Sequence, residues 1–518
     1  MKLVLFFCLI SVVFSYKVLF YSTPIGYSHT QFTKAMVDVV ISAGHDVTVL
    51  MPLPDEKTKK LVSAKAKTIT VELPPSIKQR FATRTRGFWE ANAFFGNLKS
   101  LHNVSSIQLA FCEYLLENQN LFMDKLNDDY DVAVMDVSAF CSFGLFQKLK
   151  VKNFVITSAI GFLSTYSNDF QAPLVYSHMP ASLLYFTDRM SFTERLINIL
   201  WHTGSSLTFK FAFLSGYIKL FAKHGINFDL NRDINARTNY YLMNSLETLD
   251  YARAASSKIK YIGGIAASTS ETMPEEFEKI LSKAKKGVIV ISFGSVASTS
   301  EMLPDMREAV FKAIRAYPEY TFVWRVDQSD MKLSEKFSNL KTVAWLPQKQ
   351  LLNDLRVKLF ISHAGMNSLI ETALSGKACI WVPIFADQFQ NAGMMARFNS
   401  SKILWKTDLK GDNVINTIKE MLGTDSYARN GNRLSGLIKS QKMTAKDTLL
   451  EAIERTAHFG KIESIDLAGY DLNFFQYYSL DILIFILSLA WALFKITKMI
   501  SKMIFSMIFE KKTKVKKQ

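Results

Sequence analysis

The chain has 518 residues, 49% of them hydrophobic, which is too long for one compact domain and ample for two packed cores. Its formal net charge of +16 is concentrated near the C-terminus, where residues 495–518 hold eight lysines against one glutamate. The remaining excess is modest and comes without aromatic-basic repeats, so nucleic acid is not an expected partner.

Residues 1–15 have the pattern of a cleaved signal peptide. Lys2 precedes an apolar run at 3–13, and small residues stand at the two positions that a signal peptidase reads, Val13 and Ser15. We therefore predict a mature chain that begins near Tyr16 on the secretory route. The alternative is a buried first strand, which is disfavoured because another strand, at 17–21, follows at once without a turn.

Short apolar segments alternate with helical patterns in the first half of the chain, as is typical of parallel βαβ units. A Lys-rich stretch at 55–67 is predicted to be a surface loop. Residues 181–225 are unusually apolar and aromatic, which fits core helices, the lining of a lipophilic acceptor pocket or a membrane-facing surface. The predicted elements are strands at 17–21, 46–50, 131–135 and 153–157, a helix at 30–43 and a helix from about 144.

A second series of strands follows a polar segment at 267–286. We predict an α/β protein with two doubly wound, Rossmann-like domains that face each other across a cleft. Ligands of such open sheets bind at the carboxyl ends of the strands. The second-domain strands are predicted at 287–292, 320–324, 357–362 and 378–382. The predicted divisions are 16–270 for the first domain, 271–450 for the second domain, 451–476 for a return segment, 477–500 for an anchor and 501–518 for a tail.

The anchor prediction rests on the apolar run Leu480–Phe494. Tyr477 and Tyr478 precede it and Lys495 follows it, so an aromatic belt and a snorkelling lysine extend its reach toward the length of a membrane span. An interfacial amphipathic helix is the alternative. Because the lysines cluster beyond the run, we expect the C-terminus to be cytoplasmic and the bulk of the chain to be luminal.

Cysteines and sequons are few. Outside the signal segment the chain has Cys112, Cys141 and Cys379, which cannot all pair, and their spacing does not indicate a metal site. Asn103 and Asn399 lie in glycosylation sequons, which fit a luminal chain.

The densest chemical signal is the segment at 360–371, where a strand ends and a helix begins after a glycine turn. Asn367 or Ser368 caps the new helix, whose free N–H groups form an anion site, and His363 adds a donor for phosphate oxygens. Glu371 lies one helical turn beyond Asn367 on the same face, where its carboxylate fits two ribose hydroxyls.

Three neighbouring segments also follow or flank strands. Asp387 and Gln388 offer hydrogen bonds to sugar hydroxyls, Trp345 offers a stacking face and Gln348 an amide for a base. Ser295 follows a glycine that lets the backbone approach a phosphate.

In order and spacing these segments resemble the UDP-glucuronosyltransferase family of GT-B glycosyltransferases. The resemblance covers nearly the whole chain and is strongest over 287–400, where 345–388 matches the family signature without a gap. One departure is Ala364, which replaces the first glycine of the family's His-Gly-Gly and is tolerable unless the position needs a positive φ.

The resemblance assigns a role to each of these residues. It implies that Trp345 stacks on uracil, that Gln348 hydrogen-bonds the same base and that Glu371 holds the ribose. By the same resemblance, the diphosphate is contacted by His363, Asn367, Ser368 and Ser295. The sugar is contacted by Asp387 and Gln388.

The catalytic pair comes from the first domain. His29 follows the first strand and matches the family's catalytic base, and Asp136 ends a later strand and matches the aspartate that orients it. The implied reaction is a single in-line displacement with inversion, in which the acceptor oxygen attacks the anomeric carbon and UDP leaves. No cofactor or catalytic metal is expected, because the helix N-terminus and His363 stabilise the leaving diphosphate. The Asp-x-Asp of a metal-dependent transferase is matched at 129–131, but it precedes its strand and lies at the wrong end for a cleft.

The donor sugar is either glucuronic acid or glucose. Arg253 falls on a family arginine that suits the uronate carboxylate, which favours UDP-glucuronate over UDP-glucose. The family's flanking prolines are absent here, and a solvated surface arginine is the alternative.

We therefore predict a single-pass type I protein of the endoplasmic reticulum membrane that glycosylates a small lipophilic acceptor. Lys514 and Lys516 stand where a dilysine retrieval signal places its lysines, although simple positive-inside charge explains them equally. The alternative function is a catalytically silent UDP-sugar-binding partner of an active homologue, which the presence of His29 and Asp136 disfavours. The sequence leaves the acceptor and a homo- or hetero-oligomeric state open.

Overall fold

The computed structural model describes residues 15–61, 63–83, 87–90, 93–126, 128–167, 170–230, 232–267 and 272–515. The predicted signal segment before residue 15 and the predicted domain boundary at 270 lie outside these ranges.

The first half of the chain forms a seven-stranded parallel sheet of order β3-β2-β1-β4-β5-β6-β7. Its strands are β1 (Lys17–Tyr21), β2 (Asp46–Leu53), β3 (Lys67–Glu72), β4 (Val132–Asp136), β5 (Phe154–Ser158), β6 (Thr238–Met243) and β7 (Ile259–Tyr261). The second half forms a six-stranded parallel sheet of order β10-β9-β8-β11-β12-β13. Its strands are β8 (Val288–Ser292), β9 (Thr321–Arg325), β10 (Leu340–Val343), β11 (Val357–Ser362), β12 (Cys379–Trp381) and β13 (Ser401–Ile403).

Helices cover the sheets. Central strands such as β8 are therefore buried along their whole length, and their sequences are continuous apolar runs. The helices of the first half are α1 (Tyr27–Ser42), α2 (Glu56–Lys59), α3 (Pro75–Thr83), α4 (Ala93–Glu117), α5 (Phe140–Lys148), α6 (Phe192–Thr208), α7 (Ser215–Lys223) and α8 (Asp233–Arg237). Those of the second half are α9 (Glu275–Lys283), α10 (Pro304–Ala316), α11 (Gln348–Asn353), α12 (Met366–Ser375), α13 (Gln388–Ala396), α14 (Asn413–Leu422), α15 (Ser426–Lys439), α16 (Ala445–Phe459), α17 (Phe474–Tyr477) and α18 (Leu480–Val515). Two doubly wound sheets confirm the predicted fold class.

Helix α1 begins at Tyr27 and not at Thr30, so His29 lies in its first turn and not in a preceding loop. The extended backbone of Gly26 ends the Pro-Ile-Gly turn early and allows the helix to start there. The predicted loop at 55–67 also contains α2, which Asp55 caps by accepting a hydrogen bond from the Thr58 N–H.

Helix α16 returns from the second sheet to the first, where it packs on α1 and on β4 to β7. Its side chains fix this return, because Glu454 meets His45 Nε2 at 3.2 Å and His458 Nδ1 lies 3.0 Å from the Tyr16 hydroxyl. The return therefore starts at Ala445, six residues before the predicted return segment.

The apolar segment 181–225 divides between core and surface. Phe209, Phe213 and Tyr217 pack around Phe140 in the first core. Phe192, Leu196 and Leu200 are exposed. The core interpretation is confirmed for the first group.

Cys112 on α4 and Cys141 on α5 form a disulfide, and Cys379 is a buried free thiol. The structure thus identifies which two of the three cysteines pair. It fastens α4 to the helix that follows Asp136.

Residues 465–518 form a separate unit. Within it, α18 contains a 30-residue stretch, Leu480–Phe509, that is long and apolar enough to cross a membrane. The apolar helix is thus longer than the predicted run, and most of the predicted tail is helical, because lysine favours helix and no glycine or proline interrupts 495–515.

Candidate active site

His29 and Asp136 meet at the carboxyl edge of the first sheet. His29 Nδ1 lies 3.3 Å from Asp136 Oδ2, with His29 in the first turn of α1 and Asp136 at the end of β4. The Asp136 side chain is buried, and the His29 side chain is 11% exposed. The two residues predicted as base and orienting acid are therefore in contact.

Asp136 is held by further donors. The Ser138 N–H and hydroxyl donate to Oδ1, and the Ala159 N–H donates to Oδ2 at 3.1 Å. Burial opposes ionisation of Asp136, but the His29 charge and these hydrogen bonds outweigh it and lower the pKa of the carboxyl. An ionised Asp136 fixes the proton of His29 on Nδ1, so that Nε2 carries the lone pair of the neutral ring.

On the second sheet, β11 ends at Ser362 and α12 begins at Met366, which places His363 at the turn as predicted. The predicted cap at Asn367 or Ser368 is wrong, because the helix starts earlier and Gly365 is its N-cap residue. The ring lies against Gly294 and Gly365, where a Cβ on either glycine would clash with it. Burial lowers the pKa of His363 to about 4, with the nearby charge of Arg325 acting in the same direction. His363 is therefore neutral at pH 7 and offers a phosphate a hydrogen bond without a positive charge.

Ala364 occupies the position of the family glycine with φ of 65°. A left-handed conformation costs a non-glycine residue about 1–2 kcal/mol. Asn391 Nδ2 donates to the Ala364 carbonyl at 3.0 Å, and the alanine is fully buried, so its surroundings hold the strained turn.

Gln348 and Glu371 contact each other. Gln348 Nε2 donates to Glu371 Oε2 at 2.7 Å and to the Ser368 hydroxyl at 3.0 Å. Burial raises the pKa of Glu371, and the Gln348 hydrogen bond opposes that rise. With its nitrogen engaged, Gln348 presents its amide oxygen as the group for a base N–H.

Trp345 is 57% exposed and meets Tyr27 from the first turn of α1, with ring centroids 5.6 Å apart at 65°. An exposed indole at the cleft suits a stacking role. Ser295 is also exposed and follows Gly294, whose φ of 74° turns the chain away from β8.

Asp387 is buried before the first turn of α13 and accepts a hydrogen bond from Asn391 Nδ2 at 2.6 Å. Burial raises the pKa of Asp387 to about 6, against the effects of Asn391 and of the His29 charge. The ring contact between Tyr27 of α1 and Trp345 shows that the two sheets bring their candidate residues to one place.

Gln388 differs from its prediction. Its Oε1 accepts from the backbone N–H groups of Ile384 and Phe385 at 2.9 and 3.1 Å. That oxygen closes the loop before α13, so the predicted acceptor role toward a sugar hydroxyl is corrected and only the amide N–H groups suit a sugar.

Arg253 requires a larger correction. Its guanidinium is bidentate to Asp250 at 2.7 and 3.0 Å and lies 4.0 Å from the Phe162 ring centroid. The side chain is 4% exposed. The arginine is neither a solvated surface residue nor available to a uronate carboxylate, because Asp250 already satisfies its charge.

Sequence reasoning missed Arg325 at the end of β9. Its Nη1 donates to the Gly294 carbonyl at 2.8 Å, which places a cation beside His363 and the loop that carries Ser295. Arg325 could have been identified from the sequence, because it lies at the carboxyl end of a predicted strand, where the other site residues were sought.

The segment 87–90 of the first half was also missed. Trp89 is 1% exposed within the core of the second sheet and donates through Nε1 to the Ser298 carbonyl at 2.7 Å. Phe88 stacks on Phe385, and Lys406 Nζ donates to the Phe88 carbonyl at 2.7 Å. The loop that leads to Asp387 is therefore packed against a segment from the other half of the chain.

Solved glycosyltransferases share this architecture. CalG4, the calicheamicin glycosyltransferase, matches with a TM-score of 0.60 at 14% identity over 86% of this chain and 100% of that one. LpCGTa, solved in complex with UDP, matches with a TM-score of 0.53 at 14% identity over 86% of this chain and 99% of that one. The fold is that of a GT-B glycosyltransferase.

The sequence profile described as "UDP-glucoronosyl and UDP-glucosyl transferase" matches residues 17–515, and the chain belongs to this family. A putative UDP-glucuronosyltransferase, ugt-47 of Caenorhabditis elegans, is 27% identical over 91% of this chain and 89% of its own length. UDP-glucuronosyltransferase 1A10 of Homo sapiens is 25% identical over 90% of this chain and 87% of its own length.

Proposed function

We propose that the protein transfers glucuronic acid or glucose from a UDP-sugar to a hydroxyl of a small lipophilic acceptor, with inversion at the anomeric carbon. The observation that carries the proposal is the contact of His29 with Asp136 in one half of the chain, next to Tyr27, whose ring meets Trp345 of the other half. A general base that faces a nucleotide site supports transfer of the nucleotide-bound sugar to an acceptor hydroxyl.

The chemistry follows from the geometry. His29 Nε2 removes the proton of the acceptor hydroxyl as its oxygen attacks the anomeric carbon, and Asp136 stabilises the imidazolium that forms. The bond from that carbon to the UDP oxygen breaks in the same step. The N-terminus of α12, with neutral His363, receives the negative charge of the departing diphosphate.

The donor sugar is open between two candidates. The names of the relatives favour glucuronic acid, whereas the pairing of Arg253 with Asp250 removes the cation on which the uronate assignment rested. Among the described residues, no observation favours a catalytically silent partner.

A donor screen tests the proposal. Microsomes that contain the chain are incubated with several UDP-sugars and a panel of phenols, and acceptor-dependent UDP release is measured beside the His29→Ala variant. We expect release with UDP-glucuronate or UDP-glucose that the variant lacks. No release above the variant with any donor would favour a binding protein instead.

Trp345→Ala is expected to weaken UDP binding by about 1–3 kcal/mol, because a base loses an aromatic stacking face. Calorimetric titration with UDP measures the change, and Trp405→Ala provides a control indole outside the proposed base site. An unchanged dissociation constant in Trp345→Ala would remove the stacking assignment.

Asp387→Asn is expected to stabilise the fold above pH 6 while it lowers kcat/KM by roughly 10- to 100-fold through loss of a charge-assisted contact to the sugar. The pKa of Asp387 is raised to about 6, so the folded chain holds the proton more tightly and stability is lost as pH rises from about 4 toward 6. The asparagine removes that loss.

Thermal unfolding at pH 4 and pH 7.5 should show that the variant has the higher melting temperature by a margin that is larger at pH 7.5. Equal melting temperatures at pH 7.5 would argue against a buried charge at this position.

We infer that the protein is anchored in the endoplasmic reticulum membrane by α18, with the transferase domains in the lumen. The apolar stretch of α18, the disulfide and the exposure of Asn103 and Asn399 support this placement.

Lys514→Ser with Lys516→Ser is expected to release the protein from the endoplasmic reticulum if the lysines act as a retrieval signal. Immunofluorescence and glycan maturation at the sequons report the outcome. Unchanged residence would reject retrieval and leave the topology intact.

A further inference from the structure

Asn244 follows β6 and is 2% exposed. Its side-chain nitrogen makes two hydrogen bonds, to the Ala159 carbonyl at 2.9 Å and to Asn367 Oδ1 at 2.9 Å. Asn244 and Ala159 belong to the first sheet, whereas Asn367 lies in the first turn of α12. One buried amide therefore joins the two halves of the candidate site.

The connection continues to the catalytic pair. The Ala159 N–H donates at 3.1 Å to Asp136 Oδ2, the same oxygen that faces His29 Nδ1. A contiguous path of hydrogen bonds thus runs from His29 through Asp136, Ala159 and Asn244 to Asn367.

The Ala159 carbonyl sets the direction of this path. Because a carbonyl only accepts, Asn244 must turn its amide N–H groups toward it, and the second N–H then requires an acceptor. Asn367 meets that requirement with Oδ1, which leaves its own Nδ2 as the atom on the opposite side of a planar amide. Asn367 is thereby oriented as a donor beside the free N–H groups of the helix.

We propose that Asn244 is a positioning residue that keeps the donor face of Asn367 toward the diphosphate of the UDP-sugar. The inference rests on the proposed function, in which Asn367 meets that diphosphate. Without Asn244 the Asn367 amide is free to turn its oxygen toward the phosphates, which repels them.

The experiment measures UDP binding by calorimetric titration for Asn244→Ala, Asn367→Ala and the double variant, with thermal unfolding in parallel. Each single variant is expected to weaken UDP binding about 10- to 100-fold, the size of one hydrogen bond to a charged group. Since Asn244 acts through Asn367, the double variant should bind UDP no more weakly than Asn367→Ala alone.

Asn198→Ala provides the matched control, because Asn198 is an equally buried asparagine whose amide bonds to Ala181, Tyr176 and Met179. We expect that variant to lose stability without losing UDP affinity. Asn244→Asp provides a second test, because a carboxylate presents only acceptors and should reverse the orientation of the Asn367 amide. We expect this variant to bind UDP more weakly than Asn244→Ala does.

Three outcomes would overturn the inference. Asn244→Ala with a normal UDP dissociation constant, while Asn367→Ala binds weakly, would limit Asn244 to a structural role and leave the proposed function standing. Fully additive losses in the double variant would show that Asn244 does not act through Asn367. Normal binding in Asn367→Ala and in Trp345→Ala would instead reject the UDP site itself.

Discussion

Replacement of His29 by alanine should slow the chemical step by about 10²- to 10⁴-fold while UDP binding is retained. The imidazole takes the acceptor proton, and Asp136 holds it in the required tautomer at 3.3 Å. The loss should therefore fall on kcat, because neither residue belongs to the nucleotide site.

Single-turnover kinetics with the preferred UDP-sugar, beside calorimetric titration with UDP, separates the two effects. Asp136→Asn should also slow the step, since an amide no longer stabilises the imidazolium, and His202→Ala serves as a control for a buried histidine elsewhere in the first half. Near-normal turnover in His29→Ala would remove the residue from the mechanism.

Arg253→Ala is expected to destabilise the fold by about 3–5 kcal/mol and to lower activity equally with UDP-glucuronate and UDP-glucose. The arginine forms a buried bidentate pair with Asp250, and removal of one partner leaves an uncompensated charge in the interior. Asp250→Asn combined with Arg253→Leu should recover much of the stability, because neither charge then remains.

Denaturant unfolding measures the first effect and initial rates with both donors measure the second. A normal unfolding free energy together with a selective loss of UDP-glucuronate activity would restore Arg253 as the reader of the carboxylate.

Much of the site was predictable because its residues follow one rule, that ligands meet parallel strands at their carboxyl ends. Asp136 ends β4, His363 follows β11 directly and His29 lies in the first turn of the helix after β1, so a local pattern of mainly apolar strands and their following turns placed them. These residues lie at the carboxyl edges of their sheets because all the strands of each sheet are parallel.

Two short edge strands could not be predicted, because β10 and β13 carry too few apolar residues to be recognised.

Contacts between side chains could not be predicted from the sequence pattern either. Asp250 lies three residues before Arg253 in irregular backbone, where no periodicity indicates that they face each other. The same holds for Asn244, whose partners are 85 and 123 residues away in sequence.

The return of α16 to the first sheet has a consequence for synthesis. Strand β7 ends at Tyr261, but the helix that packs on β4 to β7 ends at Phe459, about 200 residues later. At 5–20 residues per second, an emerging chain waits about 10–40 s for that helix. The amino-terminal half thus reaches its finished state only after its partner domain has been made, so an isolated fragment that stops near residue 270 should expose apolar strands and require a chaperone.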